Sequence, residues 1–186
     1  MNALKGIVLV LLVSGCAHTE VETYPQSWPP AANVVAGSCP NISGQYGFVD
    51  PARYRDFSEE RALRILNEVA GFQRILPVPN RVAISHNGDK WFRIEIFLEN
   101  NLERTREFTG ANATIRCGLD GLFLKPPPLE QKVNGGSQTI RRELVFNVAE
   151  DGSLVFREEY TATSRILLAP VAGSGIRWSR LTRIHP

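Results

Sequence analysis

Along most of the chain apolar side chains recur at every second position, the period of a strand with one face against a core. The clearest stretch is residues 91–99, where Phe92, Ile94, Ile96 and Leu98 share one face and Arg93, Glu95 and Glu99 the other. Upstream, Val82 and Ile84 alternate in the same way, and Asn87-Gly88 supplies the positive-φ residues of a tight hairpin. Downstream, residues 102–108 carry Glu103, Arg104, Arg106 and Glu107, the composition of a solvated or edge strand. Residues 113–117 and 122–125 read as another hairpin around Gly118-Leu119-Asp120-Gly121. Pro126-Pro127-Pro128 then interrupts pairing, because proline has no N–H for a ladder, and Asn134-Gly135-Gly136-Ser137 reads as the end of a flexible surface loop. From Thr139 the alternation returns through Ile140, Leu144, Phe146 and Val148, turns at Asp151-Gly152, and comes back through Leu154 and Phe156 to Thr161. Ile166-Leu167-Leu168, a turn region at Pro170, Gly173 and Gly175, and a last strand over residues 176–184 close the chain.

Helical period is confined to residues 58–72, where Ala62, Leu63, Ile65, Leu66 and Val69 form a stripe. Ser58 is placed to cap it, Glu59 and Glu60 suit its first turn, and Gly71 marks its end. One short helix and about eight or nine strands in sequential hairpins predict a mainly β domain. The expected architecture is an antiparallel meander closed as a barrel or folded as a sandwich, with the short connections favouring the barrel.

The first residues follow a different pattern. Lys5 precedes the apolar run Ile7-Val8-Leu9-Val10-Leu11-Leu12-Val13, far shorter than the roughly 20 residues a spanning helix needs. A basic start, a short apolar run and small residues ahead of Cys16 make a secretory signal. Val13-Ser14-Gly15-Cys16 resembles the lipobox of bacterial lipoproteins. That resemblance implies cleavage before Cys16, a diacylglyceryl group on its thiol, and an acyl chain, commonly palmitate, on the new amino terminus. Ala17, where an inner-membrane sorting signal would carry Asp, implies the periplasmic face of the outer membrane. The expected organisation is a signal peptide over 1–15, a lipidated cysteine with a semi-extended Pro/Ala-rich tether over 16–38, and a β-rich periplasmic domain over 39–186.

With Cys16 assigned to lipid, Cys39 and Cys117 remain, in a compartment that permits disulfides. Neither lies in a CxxC motif or beside a histidine, so a structural bridge between them is the expectation.

Further resemblances lie in the folded part. Cys39-Pro40-Asn41-Ile42-Ser43-Gly44-Gln45-Tyr46 resembles the CP-x-[LI]-SG-x-Y start of many small proteobacterial lipoproteins, and Asp151-Gly152-Ser153-Leu154 and Trp178-Ser179-Arg180-Leu181 are similar to later motifs of that group. The group brings no activity with it. Gly44-Gln45-Tyr46 with Arg180 or Arg183 also resembles, more weakly, the lipocalin pairing of a first-strand aromatic with a last-strand arginine, which would imply a barrel holding a hydrophobic molecule.

Charge and site chemistry narrow the function. A chain of 186 residues with a formal charge of +2 lacks the basic excess of a nucleic-acid binder, and 43% hydrophobic against 22% charged residues excludes disorder. Of three histidines only His86 lies inside the domain, and its neighbour Ser85 points to the opposite face of a strand, so the two cannot act as nucleophile and base. Glu158 and Glu159 diverge for the same reason and are expected to be solvated. No metal cluster or cofactor motif is present in the sequence, so no catalytic residues and no cofactor are expected. Arg141, Arg142, Arg180 and Arg183 make the last strands locally basic, as anion or headgroup contacts or as partners of local acids. The expectation is a non-catalytic, membrane-tethered interaction or envelope-maintenance module with an envelope protein, lipid or polymer as partner. The alternative is a lipocalin-like carrier of a hydrophobic small molecule.

Overall fold

The computed structural model describes residues 18–34, 38–48, 57–71, 79–99, 101–133, 136–166 and 169–184. Among them are one helix, α1 (Phe57–Val69), and eleven strands, where eight or nine were expected: β1 (His18–Val21), β2 (Gly44–Gly47), β3 (Arg81–Asn87), β4 (Trp91–Leu98), β5 (Asn101–Thr109), β6 (Thr114–Gly118), β7 (Gly121–Lys125), β8 (Leu129–Val133), β9 (Gly136–Val148), β10 (Leu154–Ile166) and β11 (Ala169–Leu181). The domain is mainly β, as the alternation requires.

The strands form two sheets. One is the meander β2-β3-β4-β5; the other runs β6-β7-β9-β10-β11-β1, with β8 also paired to β9. Past β11 the chain pairs Arg183 with Tyr46, the Gly47 N–H donating to the Thr182 carbonyl at 3.0 Å and Ile184 N–H to Gln45 at 2.8 Å. The sheets are therefore stitched along one edge. Among the described residues no ladder joins β5 to β6, so the expected closed barrel is not what is observed.

Three segments differ from expectation. Residues 129–133 pair with β9 from Leu129↔Ile140 to Val133↔Gly136, so the expected surface loop contains a strand. Its run Glu130-Gln131-Lys132 carries no hydrophobic alternation, and ladder hydrogen bonds need none. Pro170, Gly173 and Gly175 lie within β11 rather than in a turn. Pro170 sits beyond the last pair made by β1, where a missing N–H leaves no ladder partner wanting. At Gly175 an added Cβ would stand 2.7 Å from the Glu20 carbonyl oxygen and 2.8 Å from the Tyr160 ring. Glycine is there to let β1 approach.

The third difference is the N-terminal segment. Expected as a semi-extended spacer, residues 18–34 are laid along the domain. β1 pairs parallel with β11 from His18↔Gly173 to Val21↔Ile176, and Ala31 bridges Ala149. Arg61 donates to Glu22 at 2.7 Å, Glu22 accepts the Trp178 N–H at 3.0 Å, and Tyr24 stands edge-on to Trp178 with centroids 5.0 Å apart.

α1 begins one residue before the expected Ser58 cap, which falls in its first turn. Its stripe of Ala62, Leu63, Ile65, Leu66 and Val69 is buried, and it packs against β11 and β3. Gly71, at φ +94°, takes the left-handed conformation that lets the chain leave the helix. Between the sheets Phe92 and Phe108 meet Phe146 and Phe156, all four fully buried. Val82, Ile84, Ile94 and Ile96 from one sheet and Leu122, Leu124, Leu144 and Leu154 from the other complete the packing.

Candidate functional site

Strand parity divides the larger sheet into a core face and an outer face. Leu154 and Phe156 point inward, so Val155, Arg157 and Glu159 point outward. Cross-strand partners share a face, and the register Arg116↔Phe123↔Val145↔Arg157↔Trp178 therefore lays one row across the outer face of β6, β7, β9, β10 and β11. The Arg116 guanidinium lies 4.4 Å from the centroid of Phe123.

Two cavities open along this row. One, of about 310 Å³, is lined by Arg116, Phe123, Glu143, Val145, Arg157 and Glu159. The other, of about 340 Å³, lies between residues 31–34 and the sheet, lined on the sheet side by Leu119, Val145, Asn147, Val155, Arg157 and Trp178. Asp120, Val145 and Arg157 belong to both. Lys125 pairs with Glu143 at 2.6 Å, which leaves the half-buried Arg157 as the central cation of the row. The docked N-terminal segment forms one wall, since Ala32 N–H donates to Val148 at 2.8 Å and Glu150 N–H to Pro30 at 3.1 Å. Such a surface suits an extended partner that buries apolar groups beside an anion met by Arg157.

The inner face carries its own polar cluster where the core ends. Arg142 donates to Glu158 at 2.6 Å and pairs with Glu68 of α1; the side chains of Arg142 and Glu158 are only 9% and 2% exposed. Glu158 is thus buried rather than solvated. Burial pushes its carboxyl above the ordinary value, opposed by the Arg142 cation beside it. The adjoining cavity, about 50 Å³, has room only for water. This cluster clamps the helix to the sheet.

The other sequence candidates separate. Cys16 lies outside the described residues. Cys39 and Cys117 are bridged, with Cα atoms 5.0 Å apart. Arg141 is exposed on the outer face. Arg142 is held in the clamp by Glu158 and Glu68. Arg180 turns to the Asp151-Gly152 hairpin, donating to Ser153 at 2.9 Å and pairing with Asp151. Burial alone would raise Asp151, but hydrogen bonds from Ser153 and the Arg180 cation hold it below its ordinary value. Arg183 lies 5.9 Å from the Tyr46 centroid and donates to the Ser43 carbonyl at 2.8 Å, so it fastens the seam between the sheets. Arg142, Arg180 and Arg183 are thus engaged with groups of the domain itself.

The register places Ser85 opposite Arg93 and His86 opposite Phe92, on different faces. Burial lowers the His86 pKa below 6.5, partly offset by hydrogen bonds to the backbone of Gly88 and Pro40, and its Nδ1 is buried without a hydrogen-bond partner. Among the described residues no group of His, Cys, Asp or Glu could hold a metal ion. Sequence reasoning missed the outer-face row, because its five residues come from five strands and only the register brings them together.

The chain matches no protein-family model, no curated protein and no solved structure.

Proposed function

We propose that this protein is a lipid-anchored lipoprotein of the outer membrane's periplasmic face, acting without catalysis as an interaction module through the outer face of its larger sheet. The observation that carries this reading is the row Arg116, Phe123, Val145, Arg157 and Trp178 with its two cavities, set outside a core filled by the domain's own side chains. A half-buried arginine between Val145 and Trp178, with Phe123 one strand beyond Val145, brings together residue types that dominate binding energy at protein interfaces. The partner is an envelope protein offering an extended segment with apolar side chains and a carboxylate for Arg157. Lipidation at Cys16 is read from Val13-Ser14-Gly15-Cys16 and the signal before it. The two facing sheets, stitched by backbone hydrogen bonds along the Tyr46–Arg183 seam, are read as an incompletely closed barrel.

The filled core weighs against the carrier reading, which needs an interior cavity of several hundred cubic ångströms. Native mass spectrometry separates the two. The purified protein is expected to have one mass before and after denaturation, acyl chains included. An excess that disappears on denaturation would establish a bound small molecule and overturn the interaction module in favour of the carrier.

A further inference from the structure

Along β10 the outer face of the larger sheet presents Val155, Arg157 and Glu159 at alternate positions, about 7 Å apart along the strand. Val155 is buried and lines the cavity of about 340 Å³ under residues 31–34, Arg157 lines both cavities, and the exposed Glu159 lines the one of about 310 Å³. One strand therefore carries an apolar floor, a cation and an anion in that order, leading away from the docked N-terminal segment. Leu119, 69% exposed, adds apolar surface at the Val155 end.

Neither charge is matched within the domain. Arg157 makes no ion pair among the described residues, although Asp120, Glu143 and Glu159 line the same cavity. Glu159 stands directly opposite Glu143 in the β9–β10 register, where like charges repel. Lys125 pairs with Glu143 at 2.6 Å, and Arg141, two positions along β9 from Glu143, pairs with neither glutamate. The register thus leaves a surplus positive charge at Arg157 and a surplus negative charge at Glu159, side by side on one face of one strand.

We propose that this face selects its partner by a pattern of alternate residues: an extended segment with an apolar, an acidic and a basic side chain at every second position, lying over Val155, Arg157 and Glu159 in that order. The inference rests on the reading of the outer face as the docking site of an extended protein segment. In an extended chain every second side chain points the same way, and the repeat of about 7 Å is that of β10 itself. A segment laid along β10, in either direction, therefore brings all three side chains over their positions at once. The apolar side chain enters the cavity under residues 31–34, the carboxylate meets the Arg157 guanidinium, and the cation meets Glu159 and relieves its repulsion from Glu143. The order of the charges supplies selectivity, because a segment with acid and base exchanged sets like charges against both Arg157 and Glu159.

The test uses the full chain in non-ionic detergent and backbone-cyclised β-hairpin peptides that hold the segment extended. One strand carries Leu-Thr-Glu-Thr-Lys or the reverse, Lys-Thr-Glu-Thr-Leu, and each probe has a control with Glu and Lys exchanged. Calorimetry is expected to show one of the two probes binding about tenfold tighter than its control. Arg157→Glu combined with Glu159→Arg is expected to invert that preference with unchanged far-UV circular dichroism. Glu159→Lys alone, at an exposed position, is expected to favour the same hairpin with its Lys changed to Glu. Equal binding of probe and control, or a preference that persists in both variants, would overturn the pattern. So would a failure of every hairpin to bind. Crosslinks from the outer face to an envelope protein in cells would then leave the interaction module standing without the pattern, and their absence as well would remove the face as a docking site.

Discussion

The Phe92 ring stacks on the Phe146 ring across the space between the two sheets, with centroids 5.2 Å apart and planes inclined at 26°. Phe92 comes from the smaller sheet and Phe146 from the larger, so their contact lies where an internal ligand would have to sit. Phe146→Ala removes a ring that also meets Phe156 at 5.3 Å. The expected cost is about 3 to 5 kcal/mol in urea unfolding, because close-packed neighbours cannot collapse fully into the space.

Arg142 and Glu158 form a pair whose members cannot be removed singly at low cost. Arg142→Ala leaves a carboxyl 2% exposed without its cation and is expected to destabilise by about 3 to 5 kcal/mol. Replacing both residues by methionine is expected to restore most of that loss in a double-mutant cycle. Strict additivity of the two single changes would contradict the clamp.

The Cys39–Cys117 bridge closes a separation of 78 residues and ties the chain ahead of β2 to β6. Chain entropy assigns such a loop roughly 4 to 5 kcal/mol. Replacing both cysteines by serine is expected to lower the denaturation midpoint accordingly, with little change in the far-UV circular dichroism of the protein that still folds.

His86 makes stability depend on pH. Its folded pKa lies below the unfolded value of 6.5, so the native state binds fewer protons than the unfolded one in that interval. The contribution is full above pH 6.5, declines as pH falls toward the folded pKa, and levels off below it. His86→Gln is expected to flatten this slope in unfolding titrations, and an unchanged slope would assign it to other groups.

The sequence carried the fold class because inward positions on β3, β4, β9 and β10 hold apolar residues at period two, and hydrophobic patterning is a local signal. The hairpin at Asn87-Gly88 and the burial of Phe92, Ile94, Ile96, Phe146 and Phe156 were legible for that reason. β8 was not legible, because Leu129 to Val133 is held by ladder hydrogen bonds to β9 rather than by an apolar face. Gly175 reads as a turn residue when only its conformational freedom is considered; its role in admitting Glu20 depends on a strand more than 150 positions earlier. Glu158 reads as solvated on a diverging pair until Arg142 and Glu68 are brought to it from β9 and α1. The outer-face row was illegible for the same reason, since tertiary register and not spacing assembles it.

Photocrosslinking in intact cells tests the interaction module most directly. A benzophenone amino acid at Phe123 or Glu159 is expected to give discrete adducts with an envelope protein, lost when Arg157→Glu is added. The same group at Leu102, exposed on β5 of the smaller sheet, is expected to give none. Absence of adducts at Phe123 and Glu159, or the same adducts from Leu102, would contradict a partner docked on the outer face of the larger sheet.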